Sequence, residues 1–464
     1  MLRSHSEQAF QGQRVVAAHS SPRGGWKMNI DDVSVKDIDS ADVPLYAFDA
    51  SRRQHMRKVR SFGEFAVPDV DMDDNGSDDS GEISRPESPG KLDDGSVPVA
   101  DADGGGTNTS MSLFDHHVCS GWDECVKLQK FKYDLSTTES RTLPGTLGFV
   151  AQLNEGRATK KRQTEFKVDE VKQSFDEMKF NFKKVSGSEV LFRFEPLEED
   201  SIIEMEMDKE ANQGNSIFVS EGEEKPHIHE SPNLVIINVS PIEYGHILLV
   251  PRVKDSLPQQ VAPSTMHFAL QMAAESDNPF FRVGFNSLGA YGSVNHLHFQ
   301  GYYLDAPFPV ERAPTVAIPG LPQMINRVRV TQLAEYPVRG IVMEMVHEGE
   351  LDLDSSLWQL AKLCGNACRK LARANVPHNI FIVDGGSRLF LFPQCYQARI
   401  SAGVVPEWIL NTGVNPAAFE ISGHLLMKTR DDFDALDETK ACRMLEQVSL
   451  DESDFLDAVR ICLS

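Results

Sequence analysis

His296, His298 and Gln300 are the residues of this chain best placed to do chemistry together. They alternate with Leu297 and Phe299 inside Ser293-Val-Asn-His-Leu-His-Phe-Gln-Gly-Tyr-Tyr303, a run rich in β-formers. On a strand, alternate side chains share a face. The pattern therefore predicts a strand over 293–303 whose two imidazoles and amide meet a ligand, while the apolar pair anchors it in a core. One imidazole of such a ladder can serve as a nucleophile, with polar neighbours fixing its tautomer and holding the group it attacks. Two plainer readings stand beside this one. A histidine in a strand is often a satisfied core residue, and a pair at i, i+2 also suits zinc, although no H-E-x-x-H or paired C-x-x-C accompanies it.

The elements that must hold this ladder are legible around it. Leu234–Asn238 and His246–Pro251 read as strands joined through Pro241 and Gly245. Thr265–Ala274 is apolar at helical spacing, with Ser264 as the expected N-cap. Phe281–Phe285 is the strand before the histidines, with Gly289 and Gly292 in the intervening turn. Upstream, Asp115–Tyr133 predicts a helix and Gly145–Leu153 a strand, followed by a basic loop, Asn154–Arg162. Downstream, Arg339–His347 predicts a strand and Ser356–Ala374 a helix. Asn379–Asp384 and Arg388–Pro393 predict strands around the turn Asp384-Gly-Gly-Ser387. Helices laid on antiparallel strands make an α+β protein. Gly423-His-Leu-Leu-Met427 echoes Gly245-His-Ile-Leu-Leu249 and hints at an internal duplication, but the second half lacks a His-x-His-x-Gln, so only the first should hold the nucleophile.

Composition narrows the function class. A chain of 464 residues exceeds one usual domain. The net charge of −23 argues against non-specific nucleic-acid binding over the whole surface but leaves room for a local basic pocket. Seven scattered cysteines imply no disulfide framework, and Cys364 and Cys368 read as small buried residues on a helix, a metal pair being the lesser option. No run of eighteen apolar residues and no signal-peptide pattern appear, so the cytosol is the default compartment. Residues 1–110 show little apolar periodicity, and Asp69–Asp103 mixes acids with Gly, Ser and Pro; this region is expected to be a disordered acidic tail whose removal (residues 1–100) spares catalysis. Ser84-Arg-Pro-Glu-Ser-Pro89 fits a phosphorylation target. Arg52-Arg-Gln-His-Met-Arg-Lys-Val-Arg60 fits a nuclear address, a solvated charge run being the plainer reading.

The histidine run and its surroundings resemble the histidine-triad (HIT) superfamily, and within it the nucleotidyltransferase branch, whose members carry His-x-His-x-Gln. Phe149-Val-Ala-Gln-Leu-Asn-Glu-Gly-Arg157, Ile237-Asn-Val-Ser-Pro-Ile-Glu-Tyr-Gly-His246, Leu270-Gln-Met-Ala-Ala-Glu275, Asn286-Ser-Leu-Gly289, Tyr336-Pro-Val-Arg-Gly340, Phe392-Pro-Gln-Cys-Tyr396 and Asn415-Pro-Ala-Ala418 are similar to blocks of the plant and algal GDP-L-galactose phosphorylase family. Leu45-Tyr-Ala-Phe48 resembles a further short block of that family. The resemblance covers about residues 111–464. It implies a HIT-like antiparallel sheet with packed helices, in two halves, 111–312 catalytic and 313–464 a degenerate second half.

The resemblance further implies a GDP-hexose, inorganic phosphate and GDP as partners, with no membrane, no nucleic acid and no required cofactor. Mg²⁺ accompanying the substrate remains open, as do protein partners. His298 is then the nucleophile that attacks the α-phosphorus of a GDP-hexose, leaving GMP on the imidazole, and phosphate releases GDP. His296 and Gln300 would orient phosphate oxygens. Asn286 and Ser293 are candidates for the ribose or α-phosphate, Asn238 for the ribose. Arg157 is expected to approach the phosphates, with Lys160 and Lys161 beside it, because guanidinium offers a forked, permanently charged donor. His246 is either structural or part of the site. The alternatives are a phosphorylase acting on GDP-D-glucose and a catalytically silent nucleotide-binding regulator. Residue chemistry alone does not separate the epimeric sugars.

Overall fold

A computed structural model describes residues 34–35, 43–48, 111–162, 165–196, 231–276, 278–346 and 352–463. The basic run Arg52–Arg60, the acidic stretch Asp69–Asp103 and the Ser-Pro pairs at 84–89 lie outside the described residues. In chain order the strands are β1 (Leu45–Phe48), β2 (Glu139–Thr142), β3 (Val150–Leu153), β4 (Val190–Pro196), β5 (Leu234–Ile237), β6 (Ile247–Val250), β7 (Phe281–Asn286), β8 (Phe299–Tyr303), β9 (Thr315–Val316), β10 (Met324–Ile325), β11 (Val328–Leu333), β12 (Ile341–Met345), β13 (His378–Val383), β14 (Arg388–Pro393) and β15 (His424–Met427). The helices used below are α1 (Leu113–Lys127), α2 (Glu155–Lys160), α3 (Pro263–Glu275), α4 (Leu353–Arg373), α5 (Ala418–Ser422) and α6 (Glu452–Leu463). No described helix is long and apolar enough to cross a membrane.

The larger sheet runs β1-β4-β5-β6-β8-β7-β13-β14-β12-β11-β10, with β9 beside β11; a smaller sheet runs β15-β3-β2. This is the expected α+β class, and its centre contains a repeat. β5, β6, α3, β7 and β8 fold into an antiparallel unit of order β5-β6-β8-β7. β11, β12, α4, β13 and β14 fold into a second of order β11-β12-β14-β13. The two join through the antiparallel pair β7–β13. The Gly423-His424 echo is not part of this duplication. It lies on β15, paired parallel with β3 in the smaller sheet, and the counterpart of β6 is β12. The halves differ where it matters for chemistry: twelve residues (287–298) join β7 to β8, whereas four (384–387) join β13 to β14. That short turn is the Gly-Gly turn read from the sequence, with Gly385 at φ 60° and Gly386 at φ 84°.

One face of the sheet is covered by helices. Leu357, Leu360, Ala361, Cys364, Ala367, Cys368 and Leu371 of α4 are buried at helical spacing, and Asp352 caps the helix by accepting from the Ser355 N–H at 2.8 Å. α3 lies against α4 so closely that a Cβ on Gly365 would stand 2.6 Å from the Pro263 backbone nitrogen, which only glycine permits. α3 begins at Pro263, with the Thr265 hydroxyl accepting from the Ala262 N–H at 3.0 Å. This replaces the expected Ser264 cap: proline is preorganised for the first helical position. α1 is capped by Ser112 and stops at Lys127 rather than Tyr133, because Gln129 turns to φ 55°.

The opposite face is covered in two parts. Phe182, Val185, Leu234, Ile236, Leu248, Val250, Val253 and Val294 form one apolar cluster over the first half. Tyr302, Phe308, Phe381, Phe390 and Phe392 form another with Phe419, Leu425, Met427, Phe433, Met444, Leu445 and Val448 of the C-terminal segment. The segment leading into and along β8 runs from Val294 in the first cluster to Tyr302 in the second, with the histidines and Gln300 between them.

β1 corrects the expectation of a tail disordered throughout 1–110. Leu45–Phe48 pairs parallel with β4, Tyr46 and Phe48 are buried, and the Tyr46 hydroxyl donates to Glu275 at 2.7 Å. The Phe48 ring stacks on Phe194 at 4.5 Å. Deleting residues 1–100 therefore removes part of the core.

Candidate active site

The histidine run is held as an extended segment rather than as a strand over its whole length. β8 starts at Phe299, where it meets Leu249 of β6, and Gly284 of β7 pairs with Gln300. Before that point β7 has turned to β13 alone, so residues 293–298 lack a neighbouring ladder. Other groups satisfy their backbone, as burial demands. The Leu297 N–H donates to the Leu257 carbonyl at 2.8 Å. The Gln259 amide, fully buried, accepts from the His298 N–H at 2.9 Å and donates to the His298 carbonyl at 3.2 Å and the Asn286 carbonyl at 3.0 Å.

The His296 carbonyl fixes the tautomer of His298. Its Nδ1–H donates to the His296 carbonyl at 2.9 Å, which leaves Nε2 as a bare lone pair. Desolvation by burial pushes the imidazole down to about 4, with the His296 carbonyl bond acting the other way. His298 is thus neutral at physiological pH with its nucleophilic nitrogen unprotonated. The edge of Phe182 packs 4.9 Å from its ring.

The His296 side chain does something other than expected. It is sealed from solvent, with Phe175 at 5.2 Å and Phe182 at 5.6 Å, and its Nδ1 accepts from the Phe182 N–H at 3.0 Å. Its pKa falls to about 3, first through burial and then through the neighbouring His298 and Lys183 charges. In this structure His296 acts on its neighbour through its backbone carbonyl and anchors the Phe182 segment through its ring.

Gln300 and His246 form a second pair on the same face. His246 Nδ1 accepts from the Ile242 N–H at 2.8 Å, so Nε2 carries the proton and donates it to Gln300 Oε1 at 3.2 Å. The Gln300 carbonyl is thereby occupied, and its NH₂ remains as the donor for a ligand. Asn238 stands 3.1 Å from the same His246 nitrogen, and its Oδ1 accepts from the Ser240 N–H at 3.0 Å. His246 lies far below its usual pKa through burial, with Arg157 and Lys161 pushing the same way.

Residues 155–160, expected in a loop, form helix α2, capped by Asn154 Oδ1 accepting from the Arg157 N–H at 2.9 Å. The Arg157 guanidinium donates to the Ser240 carbonyl beside the site. Lys160 points away: it is exposed and donates to the Lys132 carbonyl at 3.0 Å. Lys161, on the Arg157 side, is lowered to about 7 by burial, then by Arg157, with Glu420 opposing and Lys428 adding. Asn286 is a brace. Its Oδ1 accepts from Asn379 at 2.7 Å and from the Ala418 N–H at 2.9 Å, tying β7 to β13 and to α5. Ser293 is half-buried at the start of the histidine segment.

Four site-shaping residues escape the sequence reading. Gln259, Phe182, Glu420 and Lys428 approach from other parts of the chain. Lys428 alone has a nearby signal, since it follows directly on the Gly-His-Leu-Leu-Met echo. Among the described residues no group of three or more His, Cys, Asp or Glu is arranged to hold a metal ion. Gln259 is a positioning residue, and Gln259→Leu tests it. We expect kcat to fall roughly 10–100-fold, because a small misplacement of a reacting group costs that much. Rapid-quench kinetics on folded protein checks this; unchanged turnover would show that the clamp does not position His298.

Two family models match the chain: GDPGP1-like, N-terminal domain, over residues 113–302, and GDPGP1-like, C-terminal domain, over residues 309–464. The chain is 42% identical over 354 residues to GDP-L-galactose phosphorylase 2 of Arabidopsis thaliana, covering 76% of each chain. It is 43% identical over 355 residues to GDP-L-galactose phosphorylase 1 of the same plant, covering 76% of this chain and 73% of the relative. To GDP-D-glucose phosphorylase 1 of Homo sapiens it is 33% identical over 357 residues, covering 74% and 81%. Among solved structures, yeast Ap4A phosphorylase Apa2 in complex with Ap4A aligns with a TM-score of 0.47 at 12% identity, covering 73% of this chain and 98% of that one.

Proposed function

Because this chain belongs to the GDPGP1-like family, we propose that it is a GDP-L-galactose phosphorylase, converting GDP-L-galactose and phosphate to L-galactose 1-phosphate and GDP, and that His298 is its nucleophile. The observation that carries the residue assignment is the His298 tautomer: Nδ1–H is committed to the His296 carbonyl and Nε2 is bare. The Nε2 lone pair attacks the α-phosphorus, the bond to the bridging oxygen breaks, and hexose 1-phosphate leaves with that electron pair. A phosphate monoester has a second pKa of about 6, so this leaving group needs no strong acid. Phosphate then attacks the same phosphorus, the P–N bond breaks, and His298 regains its lone pair as GDP departs. Two in-line displacements give ping-pong kinetics and retention at phosphorus.

Gln300, its carbonyl held by His246, offers N–H donors to the α-phosphate oxygens as charge moves onto them. Arg157 supplies a cation on the same side. The scheme uses the chain's own groups and requires no cofactor. Incubation with GDP-L-galactose without phosphate, followed by intact-mass measurement, should show one GMP adduct, located on His298 by peptide mapping. Turnover without any adduct would sink the covalent route. A large rate advantage for GDP-D-glucose over GDP-L-galactose would move the chain to the activity named for its animal relatives.

A further inference from the structure

We propose that Lys161, Lys428 and Glu420, together with Arg157, form one subsite that holds the phosphate group leaving with the hexose and then the inorganic phosphate that replaces it; this rests on the phosphorylase reading above. The small sheet brings the residues together. Leu153 pairs with Met427 across the parallel β3–β15 ladder, and the Asn154 N–H donates to the Met427 carbonyl at 3.1 Å. The chain leaving β3 enters α2, which carries Arg157, and Lys161 is the C-cap of that helix, its N–H donating to the Arg157 carbonyl at 3.0 Å. The chain leaving β15 reaches Lys428 at once, its ammonium beside Gly413. Glu420 comes from α5, and its Oε2 accepts from the Ala417 N–H at 3.2 Å. The next residue's N–H, that of Ala418, donates to Asn286 Oδ1 at the end of β7. Phe419 packs 4.2 Å from the Tyr302 ring, two residues along β8 from Gln300.

Electrostatics link this cluster to the histidines. Lys161 feels Arg157, Glu420 and Lys428, and His246 feels Arg157, Lys161 and His298. Neither the Lys161 nor the Lys428 ammonium makes a hydrogen bond among the described residues, so both keep their donors for a ligand. Arg157 and the two lysines face a phosphate that carries about −1.5 to −2 near neutral pH, and its arrival favours the protonated form of Lys161. Stereochemistry requires one place for both groups: leaving group and acceptor each take the apical position opposite His298. Glu420 keeps the cations from repelling one another before phosphate arrives and limits how tightly the anion is held, which lets hexose 1-phosphate depart.

The test uses inorganic phosphate and the full chain. Its binding is followed by ³¹P NMR titration, and GDP release from the GMP-loaded enzyme is measured against phosphate concentration. Lys428→Met should raise the half-saturating phosphate at least ten-fold in both measurements, and Lys428→Arg should restore most of it. Glu420→Gln should shift it the other way, several-fold lower, which a folding defect cannot do. Equal phosphate affinity in Lys428→Met and the parent overturns the subsite, as does weaker phosphate binding in Glu420→Gln. The two ideas fail separately: a parent that never acquires GMP refutes the phosphorylase reading, while the NMR titration still decides whether Lys428 and Glu420 hold phosphate.

Discussion

His298→Asn should leave a folded protein whose turnover of GDP-L-galactose and phosphate falls by at least about 10³-fold, the scale on which loss of a covalent nucleophile acts. Asparagine is smaller than the ring and can still offer an N–H towards the His296 carbonyl, so the extended segment and its Gln259 clamp survive. Only the bare nitrogen disappears. The expected signature is therefore specific: no GMP adduct by intact mass, no burst of hexose 1-phosphate, and a melting temperature within a few degrees of the parent. A variant that turns over within ten-fold of the parent would mean that a different atom attacks phosphorus. His246 is the obvious comparison, because it too is buried and neutral. Its Nε2 carries a proton directed at Gln300, however, so His246→Asn should disturb the amide that meets the α-phosphate and still permit the adduct.

How much of this was legible before the fold was known depends on the range of each interaction. The β5, β6 and β7 strands, α3, α4 and the Asp384 turn follow from local periodicity and turn chemistry, and each appears within a few residues of its expected bounds, whereas β8 keeps only the second half of the strand expected over 293–303. The errors arise where distant partners override local preference. Residues 293–298 are β-formers, yet they have no ladder because β7 has already committed its next residues to β13. Asn286 looks like a ligand donor in sequence and is a brace in space, since Asn379 and the Ala418 N–H take its carbonyl. Lys160 and Lys161 are adjacent in a basic run, and the helix they close sends one to solvent and the other towards Arg157. The duplication does not run through the matching Gly-His pair. It is carried instead by strand order, which needs no matching residues. Gln259, more than thirty residues from His298, had no signal at all.

Acid should unfold this protein steeply below about pH 6. His296, His298, His378 and His424 are neutral in the fold, held down to about 3, 4, 4 and 3 chiefly by burial. Unfolded, each titrates near 6.5. Between those values the unfolded chain binds more protons, so stability is fully present above 6.5 and is lost as the pH falls towards the folded values. From pH 6.5 to 5 each of the four costs on the order of 2 kcal/mol, at about 1.36 kcal/mol per pH unit. Their sum is comparable with the whole stability of an ordinary domain. His246, also lowered, adds to it. Buried glutamates act in the opposite sense: Glu195, raised to about 7, and Glu189 and Glu243, also raised by burial, hold protons in the fold and offset part of the loss. That offset stops growing below about pH 4.5, where the unfolded carboxylates protonate too, whereas the histidine loss continues. Thermal melts at pH 7.5, 6.5, 5.5 and 5.0 should show a falling midpoint that accelerates with acidity. His424→Phe provides the control. The ring is fully buried and its Nδ1 serves only the Tyr302 hydroxyl, at 2.8 Å. Its replacement should lower stability at pH 7.5, where a hydrogen bond is lost, and flatten the acid slope by about one proton. A melting temperature that stays level from pH 7.5 to 5.0 would mean that these imidazoles are not held neutral, and the unprotonated state assigned to His298 would fall with them.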